Sequence, residues 1–275
     1  MHGLGNDYVY VNCLEHKLKH AEEVSRIVSD RHFGIGSDGL ILICPSDRAD
    51  FEMRMYNADG SEGKMCGNAI RCVGKFVFDR GLADRTTLRI GTKSGVKTLE
   101  LSVEDGKVAS VRVDMGKASL RSKDIPVETD YDDFISQPML VHGEVYLVTC
   151  VSMGNPHAVI FCDDVESLPL EDIGPLFENH EKFPNRINTE FIEIVDHRTL
   201  QMRVWERGSH ETFACGTGAC AAVVAAIVNE HCGADEEITV RLRGGELKIT
   251  CQEDFTVFME GPATHVFDGV MDIDL

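Results

Sequence analysis

Residues 51–68 read FEMRMYNADGSEGKMCGN, and residues 200–217 read LQMRVWERGSHETFACGT. Aligned without a gap, the two segments share a Met-Arg pair, an aromatic residue, a glutamate and a Cys-Gly pair. The cysteines are 149 positions apart (215 − 66), and the same separation relates Gly5-Asn6 to Gly154-Asn155. Solenoid repeats recur every 20–50 residues or so. The longer separation therefore indicates a duplicated domain with one cysteine at the same place in each copy.

In both copies the cysteine follows a strand pattern and a glycine-rich loop and precedes a helix pattern, over 68–81 and 216–230. The N–H groups and the dipole at a helix N-terminus favour negative charge, and the pKa of a thiol there can fall to about 3.5–7.5. The same N–H groups can bind a carboxylate or an enolate-like oxygen. A lone cysteine would more often be an inert buried thiol. The matched pair instead predicts that Cys66 and Cys215 form a symmetric acid/base pair.

Strand and helix patterns alternate in the same order in both halves, which predicts an α+β fold. We expect two pseudo-symmetric domains, each a mostly antiparallel β-sheet or barrel around a central helix, with the active site in the interdomain cleft. The GTGACAAVVAAIVNE helix (216–230) is apolar on nearly every side and is predicted to be buried. The predicted domains are 1–117, to which a C-terminal strand (263–275) returns, and 118–262.

The composition excludes several classes of protein. Apolar residues make up 43% and charged residues 27%, as in ordinary globular proteins. The net charge of −19 argues against nucleic acid and anionic membranes as partners. No apolar run reaches the roughly 20 residues of a membrane span, and the first residues do not resemble a secretion signal. A cytoplasmic location is expected.

Ten cysteines are present without a CxxC spacing, which disfavours a zinc site and a disulfide framework. Several lie in strand-like apolar runs, such as LILIC (40–44), where cysteine is a small hydrophobe. No lysine stands in a recognisable pyridoxal-phosphate context. We therefore expect neither a cofactor nor a metal.

Six segments together resemble the diaminopimelate epimerase family, in order and spacing, from residue 2 to about 269. They are HGLGNDYVYVN (2–12), GIGSDGLILI (34–43), YNADGSEGKMCGNAIRC (56–72), SMGNPHAVIF (152–161), FPNRINTEF (183–191) and VWERGSHETFACGTGACAA (204–222). The resemblance implies a cofactor-independent epimerase that converts LL-diaminopimelate to the meso form, in lysine and peptidoglycan precursor synthesis. It implies two domains that close over this small-molecule substrate, and a homodimer is expected.

The resemblance also assigns roles to residues. The catalytic acid/base groups are Cys66 and Cys215, and His157 and Glu206 adjust their pKa values. The substrate-binding residues are Asn6, Asn57, Gly67, Asn68, Asn155, Asn188, Glu206, Arg207, Gly216 and Thr217. Two departures exist: Gly39 stands where some members carry a substrate-contacting glutamine, and the chain begins about five residues later than is usual.

Simpler alternatives remain open at this stage. Arg207 could be a plain surface residue, His157 a structural histidine, and residues 57–60 only a turn. A proline or hydroxyproline racemase of the same fold is the nearest alternative function, although such enzymes usually show CGHG where this chain has CGNA (66–69). A non-enzymatic thiol or metal-binding protein is the alternative from another class.

Overall fold

The computed structural model describes residues 1–273, which divide into two compact units. Unit 1 comprises residues 1–113 and the chain from Gly261 onward, and unit 2 comprises Asp114–Glu260. These bounds differ from the predicted domain bounds by four residues at the first boundary and two at the second. That each unit is an independent domain stays a prediction.

Unit 1 begins with short strands and has two helices. Its elements are β1 (His2–Gly3), β2 (Asn6–Asp7), β3 (Val9–Asn12), α1 (Ala21–Ser29), β4 (Gly39–Cys44), β5 (Phe51–Asn57), β6 (Glu62–Gly63), α2 (Gly67–Asp79), β7 (Thr87–Thr92), β8 (Gly95–Glu104) and β9 (Lys107–Lys117), the last of which runs past the boundary. The sheet order is β3-β4-β5-β7-β8-β9, with β6 beside β5.

Unit 2 repeats this order after a short 3-10 turn. Its elements are β10 (Gln137–Val141), β11 (Glu144–Ser152), β12 (Pro156–Phe161), α3 (Leu170–Glu178), β13 (Asn188–Asp196), β14 (Thr199–Glu206), β15 (His210–Glu211), α4 (Gly216–Val228), β16 (Glu237–Leu242), β17 (Gly245–Cys251) and β18 (Thr256–Gly261). The sheet order is β10-β11-β12-β13-β14-β16-β17-β18, with β15 beside β14.

Most neighbouring strands are antiparallel, which confirms the predicted α+β fold, but each unit also has two parallel pairs. These are β3–β4 and β5–β7 in unit 1, and β12–β13 and β14–β16 in unit 2. Each pair is joined through one helix, because parallel neighbours require a crossover connection. The parallel pairs were not predicted.

The helices show how closely the two copies correspond. Both α1 and α3 have nine residues, and both α2 and α4 have thirteen. Each helix of unit 2 begins 149 positions after its counterpart (170 − 21 and 216 − 67). The duplication seen in the sequence therefore extends to the element bounds.

Small side chains allow α4 to be enclosed by strands. Gly218 to Ala226 are all buried, and the helix lies against β11, β12, β13, β16 and β17. Alanine and valine leave room for the sheet to approach closely, as expected for a helix that is apolar on all sides. In the described part of the chain, no helix has the length and apolar character needed to cross a membrane.

The predicted C-terminal strand (263–275) is wrong within the described residues. Only Thr264 pairs with a strand residue, in an isolated bridge to His2. Residues 265–270 are exposed, and Met271 and Ile273 instead pack on an apolar cluster of unit 1. The segment returns to unit 1 through side chains rather than backbone pairing. Residues 274–275 lie outside the described part.

Helix α3 packs closely on an aromatic ring of the sheet. A Cβ atom on Gly174 would lie 2.3 Å from Cδ2 of Trp205, which is almost fully buried. The counterparts in unit 1 are Ser25 and Tyr56, and Ser25 Oγ donates to the Tyr56 carbonyl at 3.4 Å. A small residue therefore lies at the same helix position, next to the matched strand, in both units.

Gly174→Ala is expected to destabilise the protein by about 1–3 kcal/mol, because overpacking against Trp205 outweighs the better helix propensity of alanine. Urea unfolding would measure the change. Gly233→Ala is the control, since a Cβ there would meet only the flexible Glu236 side chain, at 3.2 Å or more. Equal stability of the Gly174 variant and the wild type would contradict the close packing.

Candidate active site

Each matched cysteine caps the helix that follows it. Cys66 is the N-cap of α2 and accepts a hydrogen bond from Ala69 N at 3.5 Å, and Cys215 is the N-cap of α4 and accepts one from Gly218 N at 3.3 Å. Both cysteines have extended backbone angles. The residue after each, Gly67 or Gly216, is the first of its helix, where N–H groups have no intrahelical acceptor. A thiol and an anion-binding backbone therefore lie together in each unit.

Neutral amides surround the thiol of unit 1. Cys66 Sγ donates to Asn6 Oδ1 at 3.3 Å, and Asn68 Nδ2 approaches the same oxygen at 3.4 Å. Asn6 in turn donates from Nδ2 to Asp38 Oδ2 at 2.7 Å. Three of the predicted site residues are thus brought together. Asn57 is not among them, because its exposed side chain donates to Ser61 Oγ at 2.9 Å within the following turn.

A fully buried arginine supports this half of the site. Arg71 donates to Asn68 Oδ1 at 3.0 Å and to the Gly67 carbonyl at 3.1 Å. A third bond reaches the Pro262 carbonyl at 3.2 Å. The guanidinium places a positive charge beneath the first turn of α2 and holds the Asn68 amide. Arg71 was not predicted from the sequence, where its only signal is a charge within the mostly apolar run AIRCVG (69–74).

In unit 2 the thiol lies beside hydroxyl and amide groups. Cys215 Sγ is 3.6 Å from Thr217 Oγ1, and Asn155 Nδ2 donates to the same oxygen at 3.2 Å. Asn155 and Asn6 occupy matched positions, so each unit has an asparagine near its cysteine. These predicted residues are therefore brought together.

Asn188 holds the start of the loop that leads to Cys215. Its Oδ1 accepts a hydrogen bond from Arg207 N at 2.9 Å, and its Nδ2 donates to the Pro156 carbonyl at 2.9 Å. The Arg207 side chain does not reach the other site residues and donates to the Asn185 carbonyl at 2.8 Å. Glu206 accepts from Thr212 Oγ1 at 2.5 Å and lies close to Cys215.

His157 is fully buried, and its Nδ1 is 2.7 Å from Oε1 of Glu190, which is also fully buried. His157 was predicted from the sequence, but Glu190 was not. The signal that could have found Glu190 is a glutamate inside the apolar strand NTEFIEI (188–194), two positions after Asn188. Alternating residues of a strand share a face, so Asn188 and Glu190 face the same way.

The pKa of Cys215 is raised, although the N-terminus of a helix favours a lowered thiol pKa. Burial, followed by the nearby Glu206 and Glu190 carboxylates, raises the pKa of the Cys215 thiol well above its usual value. The hydrogen bond from Gly218 N acts in the opposite direction but is outweighed. The helix N-terminus therefore does not lower the pKa of Cys215 overall, because desolvation and two carboxylates oppose it.

A duplicated ion pair anchors both cysteine loops. Arg54 Nε is 2.9 Å from Glu62 Oε1 in unit 1, and Arg203 Nε is 2.8 Å from Glu211 Oε1 in unit 2. These residues match at the 149-position separation. In each unit the pair joins the strand before the loop to the short strand within it, which fixes the path towards the cysteine. The arginine and the glutamate of this pair are both among the residues shared by the two aligned segments of the sequence.

Gly39 lies at the start of β4, where a Cβ atom would be 2.1 Å from the Tyr56 carbonyl oxygen. No side chain larger than hydrogen fits there without rearrangement. Within residues 1–273, no group of three or more His, Cys, Asp or Glu side chains is arranged to hold a metal ion. Independence from metals and cofactors stays a prediction.

Comparison with known proteins gives a consistent result. A family model described as diaminopimelate epimerase matches residues 1–121 and 149–266. Diaminopimelate epimerase of Acetivibrio thermocellus is 56% identical over 275 residues, covering 100% of this chain and 98% of the relative. The protein of that name from Agathobacter rectalis is 57% identical over 281 residues, covering 99% and 98%.

Among solved structures, a phenazine biosynthesis protein of Bacillus anthracis superimposes with a TM-score of 0.68 at 15% identity. The match covers 95% of this chain and 92% of the other. At this identity the likeness shows a common fold alone.

Glu206→Gln is expected to stabilise the protein at pH 8, because glutamine carries no charge that burial would penalise. Burial is the main cause that raises the pKa of the Glu206 carboxyl. The folded protein thus holds this proton more tightly than the unfolded chain does. This contribution to stability is complete below the unfolded pKa of about 4.3 and is lost as the pH rises through the folded pKa. Glutamine stays neutral, so its advantage should grow with pH.

Urea unfolding at pH 5 and pH 8 would measure this difference. Glu246→Gln, at an exposed residue paired with Arg241, is the control and should show no such trend. A Glu206→Gln protein whose stability relative to wild type is the same at both pH values would contradict the raised pKa.

Proposed function

Because the chain belongs to the diaminopimelate epimerase family and converts LL-diaminopimelate to the meso form in lysine biosynthesis, we propose that Cys66 and Cys215 are the two acid/base groups of this reaction. The observation that supports the assignment best is their equivalence. Each cysteine caps a buried helix at the same position of a duplicated unit and is followed by a glycine.

In the proposed reaction, one cysteine acts as a thiolate and removes the α-proton from one face of the carbon. The other acts as a thiol and delivers a proton to the opposite face, so the configuration inverts. The roles are exchanged in the reverse direction. Two nearby sulfurs do not ionise together readily, and one thiolate with one thiol is the favoured state.

The N-termini of α2 and α4 support the proposed binding of the reacting carboxylate. N–H groups of Gly67-Asn68 and Gly216-Thr217 would stabilise the negative charge that develops when the α-proton leaves. Charge stabilisation of this kind is strongest where water is excluded. We propose that closure of the two domains over the substrate provides this exclusion, with the active site in the cleft between them.

The remaining substrate contacts are assigned to polar residues near each cysteine. They are Asn6, Asn57, Asn155, Asn188, Glu206 and Arg207. Arg207 has a planar guanidinium suited to the distal carboxylate, and Glu206 suits the distal ammonium. Among residues 1–273, one bond to the Asn185 carbonyl anchors the Arg207 side chain, so it can turn to a ligand at small cost. His157 and Glu206 would adjust the pKa values of the cysteines.

We further propose a cytoplasmic homodimer that also serves peptidoglycan precursor synthesis. Among the described residues, none of the ten cysteines forms a disulfide, as suits a reducing compartment. Leu140, Val145 and Leu147 on β10 and β11 are more than half exposed, and an exposed apolar patch on a sheet suits contact with a second copy.

Membership of the family excludes the two alternatives left open by the sequence. A non-enzymatic thiol or metal-binding protein does not account for the family match across most of the chain. Proline and hydroxyproline racemases act on substrates without a distal ammonium and carboxylate. The polar residues at Glu206 and Arg207 favour diaminopimelate over such substrates.

Cys66→Ser and Cys215→Ser are each expected to lower the kcat for epimerisation by at least about 10²-fold, because a serine hydroxyl is a poor base at neutral pH. Steady-state kinetics in both directions would measure this. Cys13→Ser and Cys251→Ser, at buried cysteines outside the site, are the controls and should retain activity. Full turnover by either site variant would exclude the two-cysteine mechanism.

Arg207→Ala is expected to lower kcat/KM for diaminopimelate by about 10²-fold or more while leaving the fold intact, because the distal carboxylate loses its charged partner. Lysine, which lacks that carboxylate, should be a very poor substrate for the wild type. Arg198→Ala, at an exposed arginine paired with Glu236, serves as the control. Comparable kcat/KM values for lysine and diaminopimelate would refute this role.

A further inference from the structure

Two polar atoms are buried without a partner next to Cys215. Glu190 uses Oε1 to bind His157 Nδ1 at 2.7 Å, and both side chains are fully buried. Glu190 Oε2 and His157 Nε2 are buried and have no hydrogen-bond partner among residues 1–273. Such atoms cost folding free energy, and they are rare outside functional sites. The pair therefore requires an explanation beyond packing.

Strand register places this pair beneath the first turn of α4. His157 pairs with Asn188 across the parallel β12–β13 ladder, and Glu190 is the next residue on the same face. A Cβ atom on Gly218 would lie 2.6 Å from Glu190 Oε1 and 3.2 Å from Cys215 Cβ. Glycine at position 218 thus provides the space that brings the carboxylate next to Cys215.

Unit 1 has no counterpart of this arrangement. The positions that match His157, Glu190 and Gly218 are occupied by Tyr8, Ile41 and Ala69 (157 − 149, 190 − 149 and 218 − 149). The duplicated framework therefore does not require the pair. It occurs in unit 2, beside Cys215, and the matched positions of unit 1 carry other residues.

We propose that Glu190 is a positioning residue that acts with His157 as a charge-compensating pair and so decides whether Cys215 is a thiol or a thiolate. This inference rests on the proposed function of Cys215. With His157 neutral, the Glu190 carboxylate repels negative charge and keeps the proton on Cys215. With His157 protonated, the pair is neutral, and Cys215 can carry the charge.

The proton balance is simple. Cys215 gives its proton to the α-carbon of the substrate, where a C–H bond forms as the S–H bond breaks, with no change in oxidation state. Glu190 accepts the Nδ1–H throughout, because a carboxylate has no hydrogen to donate. This leaves Nε2 as the nitrogen at which His157 would take up a proton of its own.

The titratable groups around the pair come from five elements. Cys215 is at the start of α4, Glu190 is on β13, His157 on β12 and Glu206 at the end of β14, and Cys150 on β11 faces Glu190. Burial and Glu190 raise the pKa of Cys150, so it stays a neutral thiol. Glu206 adds a second acidic group near Cys215. A thiolate at Cys215 therefore depends more strongly on the positive charge of a protonated His157.

The first test labels the full-length protein with iodoacetamide as a function of pH and maps each cysteine by mass spectrometry. Glu190→Gln keeps the size and an acceptor for Nδ1–H but removes the charge. At pH 8, Cys215 is expected to react about tenfold faster in this variant than in the wild type, because the repelling carboxylate is gone. Cys66 and Cys150 in the same molecules report on general reactivity and on unfolding.

Glu193→Gln is the matched control, since Glu193 lies on the same strand with its side chain on the other face. It should not change the labelling of Cys215. An unchanged or slower Cys215 reaction in Glu190→Gln, or an increase shared equally by Cys150, would overturn the proposal.

The second test needs no variant. Nitrogen-15 NMR of the wild type should show neutral His157 with its hydrogen on Nδ1 and a lone pair on Nε2, and the opposite tautomer would overturn the proposal. Neither measurement uses substrate. Their failure would therefore leave the two-cysteine reaction standing, whereas that reaction is tested separately by the kinetics of the cysteine variants.

Discussion

The capping of a buried helix by a cysteine is the constraint on which the rest of the structure depends. A helix enclosed by strands must end its backbone hydrogen bonds inside the protein, and its first N–H groups need acceptors there. Cys66 and Cys215 accept one such bond each through sulfur. The cap therefore fixes a nucleophilic atom beside backbone donors that suit a carboxylate. Duplication of the unit supplies the second thiol that the proposed two-cysteine inversion requires.

The two copies share a framework but differ in charge. Around Cys66 the partners are amides with a buried arginine below them, whereas Cys215 has two carboxylates and a histidine nearby. A symmetric pair of thiols would have no preferred state of protonation. The different surroundings give each thiol its own proton affinity, which is a condition for one to act as the base while the other acts as the acid.

The pattern of the chain predicted the two helices that follow the cysteines and the alternation of strands and helices in each half, because local sequence sets these features. The internal repeat located both cysteines without any structural knowledge. The parallel pairs were not predictable from local pattern, since the direction of pairing is set by crossovers. The C-terminal segment was misjudged because apolar residues such as Met271 and Ile273 can pack without pairing. Glu190 and the direction of the Cys215 pKa depend on which strands adjoin α4, and this is a tertiary property.

Transfer of the α-proton in deuterated water tests the central claim, that two separate groups act on opposite faces of the carbon. The reaction would be stopped before one tenth of the LL-diaminopimelate is converted. The remaining substrate and the meso product would both be analysed by mass spectrometry and NMR. Two bases predict meso product with one deuterium at the inverted carbon, while the remaining LL substrate stays unlabelled. Product that retains the original proton at the inverted carbon would show that one group removes and returns it, and would contradict the account.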